Sequence, residues 1–196
     1  MSKPHEERKS EIIEAALEIS ADRGVSGATT KAIAERVGIA QPTIFRHFRN
    51  RDAIFEAAVA AIADALFRNI SGQFEGDEPA DARLRELIRR QLGFIGQRRG
   101  IPRLLFSDRL HLEIPVLRRS LLGVMERYTE AVAGLIEEGI WEGRFRADQD
   151  PRETARILIS LIQGLVVRWS LSDFAFDLEE EAEGIWRVLG PGLLRK

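Results

Sequence analysis

The feature that most constrains the fold is a pair of short helical segments separated by only three residues. Thr29 is a good amino-terminal cap for the first segment, residues 30–37, and Gly38 suits its end. The second segment has Pro42 in its first turn, where a missing N–H costs nothing. Because the linker, residues 38–40, is too short for the two helices to lie antiparallel, we predict that they cross at a steep angle.

Helical periodicity extends over the rest of the chain, and no segment shows the alternation of a β-strand. A helix over residues 6–23 precedes the short pair, and Gly24 suits its left-handed cap. The later helices are predicted from Asn50 or Asp52 to about residue 73, from 84 to near Gly100, from Pro102, from Pro115 to about 138, from Asp150, and from Asp177 to Gly190-Pro191-Gly192. The sequence therefore predicts an all-α fold of about nine helices. An amino-terminal segment of three helices, residues 1–51, is followed by a larger helical bundle, residues 52–196.

Composition excludes several classes of protein. The chain has no cysteine and only three histidines, which exclude disulfides and thiolate metal sites, so we expect no metal and no cofactor. A phosphate-binding glycine loop and a nucleophile elbow are missing, so we predict that the chain is not an enzyme. No secretory signal and no run of 18 apolar residues occur, which favours a cytoplasmic protein that does not enter a membrane.

The second short helix has an unusual outward face. Ile44 and Phe48 lie four residues apart and are expected to pack inward. The side chains turned outward are then Gln41, Pro42, Thr43, Phe45 and Arg46. They combine an amide, a hydroxyl with a methyl, and an aromatic ring on a helix of a size that fits the major groove of DNA.

Basic residues surround this face. Residues 36–51 contain four arginines, one histidine and no acidic residue, which suits the phosphates of a duplex, although a solvated arginine face is an equal alternative on charge alone. Lys31, His47, Arg49 and Arg51 are suited to phosphate oxygens, which fix position without reading sequence. Thr30, at the start of the preceding helix, adds a hydroxyl beside free backbone N–H groups.

Residues 29–51 and the helix before them resemble the DNA-binding domain of the TetR family of repressors. The matching elements are Ala15-Ala16-Leu17, Thr29-Thr30, Ile33-Ala34-Glu35-Arg36-Val37-Gly38, Phe45-Arg46-His47-Phe48 and Arg51. The resemblance implies contacts to double-stranded operator DNA from Thr30, Lys31, Gln41, Pro42, Thr43, Phe45, His47 and Arg51. Phe45 stands where the family usually has tyrosine, so we expect weaker phosphate anchoring there.

The resemblance implies that residues 1–51 form a helix-turn-helix DNA-binding domain and that residues 52–196 serve regulation and dimerisation, with a homodimer built from the last two helices. The residues expected at its interface are Leu158, Leu161, Ile162, Leu165, Trp169, Ile185, Trp186 and Leu189. The five residues from Leu158 to Trp169 make the first of these helices apolar on two sides. A helix that packs against both its own core and a partner has this pattern. A helix buried centrally in a monomer is the alternative.

A sensing pocket is expected among the middle helices, suited to a small and largely apolar effector. The candidate contacts are Phe94, Phe106, Arg109, His111, Met125, Tyr128 and Gln163. The sequence thus predicts a repressor that binds a palindromic operator as a homodimer and is released by this effector. The alternative is a ligand-independent DNA-binding adaptor or architectural protein whose helical domain binds another protein.

Overall fold

The computed structural model describes residues 4–108, 110, 112 and 114–195. Within this part of the chain the helices are α1 His5–Gly27, α2 Thr30–Val37, α3 Gln41–Ile44, α4 Arg51–Ile70, α5 Ala80–Gly96, α6 Gly100–Leu105, α7 Pro115–Trp141, α8 Pro151–Leu171 and α9 Glu181–Leu193, with a short 3₁₀ helix at Ser71–Gln73. No β-strand occurs among the described residues, where an isolated bridge joins Phe145 and Leu194. The predicted all-α fold of about nine helices is confirmed.

The helix ends follow the local signals in the sequence. The side chains of Thr29, Asn50 and Asp150 each accept the backbone N–H three residues later, at 3.1, 2.8 and 2.7 Å. Gly24 and Gly38 have φ of 71° and 75°, a left-handed conformation that favours glycine. The cap at Gly38 makes the turn into α3 possible, and the kink at Gly24 lies where the first helix was predicted to end.

The last helix differs from its prediction at both ends. Asp177 accepts N–H groups as predicted, but the residues after it form a turn, and α9 begins only at Glu181. The prediction that Gly190-Pro191-Gly192 ends the helix was wrong, because α9 continues to Leu193. Proline has a φ that fits a helix, and the last turn is still closed by a 2.8 Å hydrogen bond from Leu194 N to Gly190 O.

The chain groups into two compact units. The first contains the chain up to Asp64 together with Arg99–Leu122, and the second contains Ala65–Arg98 and the chain from Gly123 onward. The first unit thus takes in more of the chain than residues 1–51. The division of function at residue 51 stays a prediction.

The core of the first unit is built on one face of α1. Ile12, Ala16 and Ile19 are almost completely buried, at the spacing of one helical face. They belong to one apolar cluster with side chains of the neighbouring helices, among them Ile33, Ile44, Phe48, Ile54, Phe55 and Leu104. This cluster places α2 and α3 by their inward residues and leaves their other faces to solvent.

Helix α6 approaches α1 closely at Gly100. A Cβ atom at this position would collide with the backbone carbonyl of Leu17. Only glycine allows this backbone-to-backbone packing, so α6 is fixed against the helix that supports the short pair.

The second unit buries the apolar face predicted for α5, including Leu84, Leu87, Ile88 and Leu92. One charged side chain is buried with it and pairs with a carboxylate that is itself exposed. Arg83 is 3% exposed and its Nη2 lies 2.6 Å from a carboxylate oxygen of Glu138. Pairing of this kind offsets the cost of removing a charge from water.

Helix α8 is the described helix that is long and apolar enough to cross a membrane, by length and composition alone. Its mean hydropathy is 1.3 over 18 residues, and 33% of that window is buried inside the chain. The same helix carries the charged residues Arg156 and Arg168. A helix that packs against a protein core on one side and a protein partner on the other has a similar apolar composition.

Candidate nucleic-acid interface

The short helices α2 and α3 are held by their buried residues. Ile33 and Ile44 are completely buried and Phe48 is 7% exposed, as the spacing in the sequence predicts. Regular helix ends at Ile44, and residues 45–48 continue as tight turns, with hydrogen bonds from Arg46 N, His47 N and Phe48 N at 3.2, 3.0 and 2.9 Å. Turns of this tightness satisfy the last carbonyl groups of a short helix.

The opposite side of this pair is open to solvent. We call it the recognition face, and its residues are Thr30, Lys31, Gln41, Pro42, Thr43, Phe45, Arg46 and His47. Lys31, Gln41, Pro42, Phe45 and Arg46 are exposed, whereas Thr30, Thr43 and His47 are half-buried. Phe45 is 52% exposed, which rules out a core role for its ring. The structure therefore brings eight of the nine predicted DNA contacts onto one surface, and Arg51 differs in its surroundings.

Two predicted contacts on this face are linked to each other. The Gln41 side-chain amide donates a hydrogen bond to the Thr30 hydroxyl at 2.9 Å. This bond leaves the Gln41 carbonyl oxygen and one of its N–H donors for another partner. An amide held in this way has lost part of its rotamer freedom before any ligand arrives.

Arg51 lies at the start of α4 and holds the loop before α2. Its Nε donates to the carbonyl of Ala28 at 2.8 Å, and its Nη2 donates to the carbonyl of Val25. Its guanidinium also lies over the Phe55 ring, 5.3 Å from the ring centroid. Arg51 therefore positions the segment that leads into Thr29 and Thr30, in addition to the phosphate contact predicted for it.

His47 is held as a neutral ring. It stacks on His5 with ring centroids 4.5 Å apart and planes inclined by 27°. Burial, and after it the neighbouring His5, Arg46, Arg8 and Lys9, lower the pKa of His47 below its ordinary value. Its Nδ1 is buried without a hydrogen-bond partner, which favours the tautomer with the proton on Nε2. Such a ring can donate to an oxygen acceptor.

The arginines of residues 36–51 are not equivalent. Arg36 pairs with Glu18 at 2.8 Å and with Asp22 at 3.7 Å, and Arg49 lies 3.9 Å from Glu56. The positive charge that the recognition face presents to solvent thus rests mainly on Lys31 and Arg46. The sequence could not reveal this difference, because the neutralising carboxylates lie on other helices.

The residues predicted for a sensing pocket are distributed over the chain. In the second unit Phe94 and Tyr128 are buried, whereas Met125 and Gln163 are half-buried. Phe106 belongs to the first unit and is 40% exposed. Arg109 and His111 lie outside the described residues.

The structure adds a residue that the sequence did not single out. Gln91 is 5% exposed and accepts a hydrogen bond from the Tyr128 hydroxyl at 2.6 Å. Burial raises the pKa of Tyr128 far above its ordinary value, so the hydroxyl stays a donor at any physiological pH. The Phe67 ring lies edge-on to Tyr128, with centroids 6.0 Å apart.

The predicted interface residues divide into two sets. Leu158, Ile162, Trp169 and Ile185 are buried in the core of a single chain. Leu161 is exposed, and Leu165, Trp186 and Leu189 are half-buried. Exposed apolar side chains at Ile157, Leu171 and Val188 extend the surface of α8 and α9 and were missed in the sequence.

Among the described residues, no group of three or more metal-ligating side chains is close enough to hold a metal ion.

An amino-terminal helix-turn-helix with an exposed face of polar and basic residues, within an all-helical chain, defines a DNA-binding regulator. The family model described as bacterial regulatory proteins of the tetR family matches residues 12–58. The tetracyclin repressor-like C-terminal domain matches residues 77–187. The chain therefore belongs to the TetR family.

Similar proteins cover nearly the whole chain. The nucleoid occlusion factor SlmA of Marinomonas sp. is 27% identical over 194 residues, which are 99% of this chain and 98% of that protein. A transcriptional regulator from Saccharomonospora viridis, solved in complex with choline, has a TM-score of 0.86 at 23% identity, with 97% and 100% of the two chains covered. The fatty acid degradation regulator FadR from Bacillus halodurans has a TM-score of 0.84 at 20% identity and 96% coverage of both chains.

Proposed function

We propose that this protein is a transcriptional repressor that binds a palindromic operator as a homodimer and is released by a small, largely apolar effector. The observation that carries the proposal is the recognition face, where Gln41, Thr43 and Phe45 are presented on two short helices anchored by their opposite side. We propose that it acts in the cytoplasm, the compartment that contains the operator DNA.

Base reading falls to side chains of α3 and of the turn that follows it. Gln41 offers an amide to a base edge, Thr43 offers a hydroxyl and a methyl, and Phe45 offers an apolar surface for a thymine methyl or a sugar. The hydrogen bond from Gln41 to Thr30 supports this role, because an amide that is oriented beforehand pays less entropy on binding.

Phosphate contacts fall to the margins of the face. Lys31 and Arg46 are exposed cations, and the hydroxyl of Thr30 and the Nε2–H of His47 are uncharged donors. Arg51 contributes mainly by holding the loop before α2, through its bonds to Val25 and Ala28.

A homodimer is supported by the apolar side chains that a single chain leaves on α8 and α9. Ile157 is 53% exposed, Leu161 39% and Val188 75%. Apolar area of this kind on neighbouring helices gains free energy when a partner covers it. A pair of recognition faces related by a two-fold axis would match an inverted repeat with half-sites about one helical turn apart.

An effector site in the second unit is supported by the buried pair of Tyr128 and Gln91, two hydrogen-bonding groups in an apolar interior. A relative with this fold holds the small molecule choline. That structure supports a small-molecule site in this fold. The apolar character proposed for the effector comes from the buried side chains of this chain and not from that ligand.

Selection of bound DNA from a random pool, followed by a footprint, tests the proposal. We expect an inverted repeat protected on one side of the duplex. The variant Gln41→Ala should lose on the order of 1–3 kcal/mol of operator affinity and relax preference at one base position. Selected DNA without a common sequence, or unchanged preference in this variant, would contradict the assignment of the recognition face.

A second candidate follows from those curated relatives that are nucleoid occlusion factors, such as the one of Marinomonas sp.. In this case the chain is a DNA-binding adaptor that assembles with another protein on DNA and needs no effector. The two candidates separate by an operator-binding titration in the presence of metabolite extracts and by a pull-down with and without operator. Operator affinity that no metabolite changes, with a protein retained only when operator is present, favours the adaptor.

A further inference from the structure

A cavity of about 370 Å³ opens in the second unit beside the last turns of α5. Its lining includes Arg89, Arg90 and Arg98, with the amides of Asn69 and Gln97 and one carboxylate, that of Glu179. This volume holds a small metabolite. The walls are unlike the apolar interior in which the effector site is proposed.

Arg98 is the best-prepared anion-binding group of this cavity. Its guanidinium lies over the Phe94 ring, 4.1 Å from the ring centroid, and its Nη1 donates to the Phe94 carbonyl at 2.9 Å. These contacts fix the plane of the guanidinium and use one of its five donors. The other donors have no acceptor among the described residues. A planar fork with free donors matches the oxygens of a carboxylate or a phosphate.

The cavity already holds one carboxylate of the chain itself. Glu179 pairs with Arg89 across the opening, and Gly93 provides the room, because a Cβ atom at residue 93 would collide with the Glu179 carboxylate. The arginines at this position can therefore bind an oxyanion, and Glu179 occupies part of the space.

Positive charge exceeds negative charge around the opening. Glu86, just outside the lining, binds Arg89 and Arg90 at 2.6 and 2.8 Å, so that two carboxylates face three guanidinium groups. Arg98 and Gln97 are both exposed, so an anion from solvent can reach them. The Gln97 amide makes no side-chain hydrogen bond within the described residues and can donate to such an anion.

We propose that this cavity binds a small, multiply charged anion of the phosphate or carboxylate type, with Arg98 and Gln97 as its contacts and Glu179 as an internal competitor.

The position of the cavity gives binding a route to the DNA-binding unit. Arg98 is the last residue of the segment Ala65–Arg98 of the second unit, and the chain continues through Arg99 into α6, whose Gly100 packs against Leu17 of α1. An anion that restrains Arg98 therefore restrains the segment that leads into this contact. This consequence rests on the proposed function, whereas binding itself does not.

Isothermal titration calorimetry without DNA tests the binding. Inorganic pyrophosphate and citrate serve as the phosphate and carboxylate probes, at constant ionic strength. We expect saturable binding of at least one probe, and the tighter one identifies the chemistry of the ligand. Arg98→Ala should weaken binding of this probe tenfold or more, because the variant loses charged hydrogen bonds to the anion. Glu179→Gln, which removes the competing charge, should tighten it.

Two further variants make the result decisive. Arg68→Ala removes an exposed cation from the end of α4, next to but outside the lining, and should leave the affinity unchanged. Arg98→Lys keeps the charge without the fork and should give an intermediate affinity even if Arg98→Ala is poorly folded. No saturable heat with either probe, equal affinity in Arg98→Ala, or weaker binding in Glu179→Gln would overturn the proposal. Failure to bind any operator would affect the proposed function and leave these titrations unchanged.

Discussion

Replacement of Arg51 by alanine should weaken DNA binding mainly through loss of structure, and only to a small extent through loss of the phosphate contact predicted for it. The guanidinium spans from the start of α4 to the carbonyl groups of Val25 and Ala28, so it connects α4 to the segment that caps α2. Without it, these two carbonyl groups lose their charged donor, and the loop that leads to Thr29 is released.

The magnitude follows from the contacts. Hydrogen bonds from a charged donor contribute on the order of 1.5–3 kcal/mol each. The cation–π contact with Phe55 adds about 0.5–1 kcal/mol. Because Arg51 is only half-buried, water replaces part of what is lost, and we expect a loss of about 2–3 kcal/mol in the free energy of unfolding. For a chain of this length the melting temperature should fall by about 5–10 °C.

Operator affinity measured against salt concentration separates the two roles. Each phosphate contact contributes about 0.9 to the slope of log K against log salt. Arg51→Ala should lower affinity with the slope nearly unchanged, and Arg51→Lys should recover little, because a lysine lacks the fork that reaches both carbonyl groups. Lys31→Ala is the matched control, since Lys31 is exposed, and it should flatten the slope by about 0.9 for each protomer bound, without changing the melting temperature. An unchanged melting temperature in Arg51→Ala, with a flattened slope, would refute the positioning role.

Three further predictions concern other parts of the chain. Operator affinity should rise as pH falls below the ordinary pKa of histidine, by up to about one log unit per pH unit for each protomer bound, because burial and nearby cations keep His47 neutral and a phosphate favours its charged form. Without DNA the free energy of unfolding changes in the opposite direction. Because the pKa of His47 is lowered in the folded unit, the unit is more stable at higher pH and loses this stability as pH falls. Operator affinity measured against pH in wild type and in His47→Gln checks this prediction. An identical slope in both proteins would exclude His47 as the source of the pH dependence. Gly100→Ala should cost about 1–3 kcal/mol in thermal unfolding, since the added methyl meets the carbonyl of Leu17, whereas Gly134→Ala, with open space, should be neutral or stabilising. Leu161→Arg should convert the proposed dimer to a monomer in sedimentation at unchanged helix content, and a concentration-independent monomer in wild type would contradict the proposal of a dimer.

The parts of the fold that sequence predicts well are those specified by local chemistry. Thr29, Asn50 and Asp150 cap helices because their side chains reach an N–H three residues away, which needs no knowledge of the rest of the chain. Gly38 makes its turn for an equally local reason. Ile44 and Phe48 are buried because a spacing of four places them on one side of a helical segment.

The parts that sequence does not predict depend on distant residues. Arg51 finds its acceptors in a loop more than twenty residues earlier, and Tyr128 finds Gln91 on another helix. Nothing in either neighbourhood of the sequence indicates the pairing. Pro191 was mistaken for a helix end for a related reason: proline restricts the chain without forcing it out of a helix, so the outcome depends on the packing around it.

Helix α8 shows why an apolar pattern has to be divided between its two sides before it predicts a function. One side, with Leu158, Ile162 and Trp169, is consumed by the core of the chain itself. The other side carries Ile157 and Leu161, and then Gly164, where a Cβ atom would meet open space.

The polar residues on the exposed side decide what can cover it. Arg156 and Arg168 are exposed near the two ends of α8, and a charge within the hydrocarbon of a bilayer is costly. A protein partner, in contrast, can cover the apolar middle while the guanidinium groups stay in water. Small residues such as Ser160 and Gly164 allow a second helix to approach closely at that middle. The high hydropathy of α8 is therefore better explained by a core on one side and a protein surface on the other, such as that of the second copy proposed above, than by a membrane.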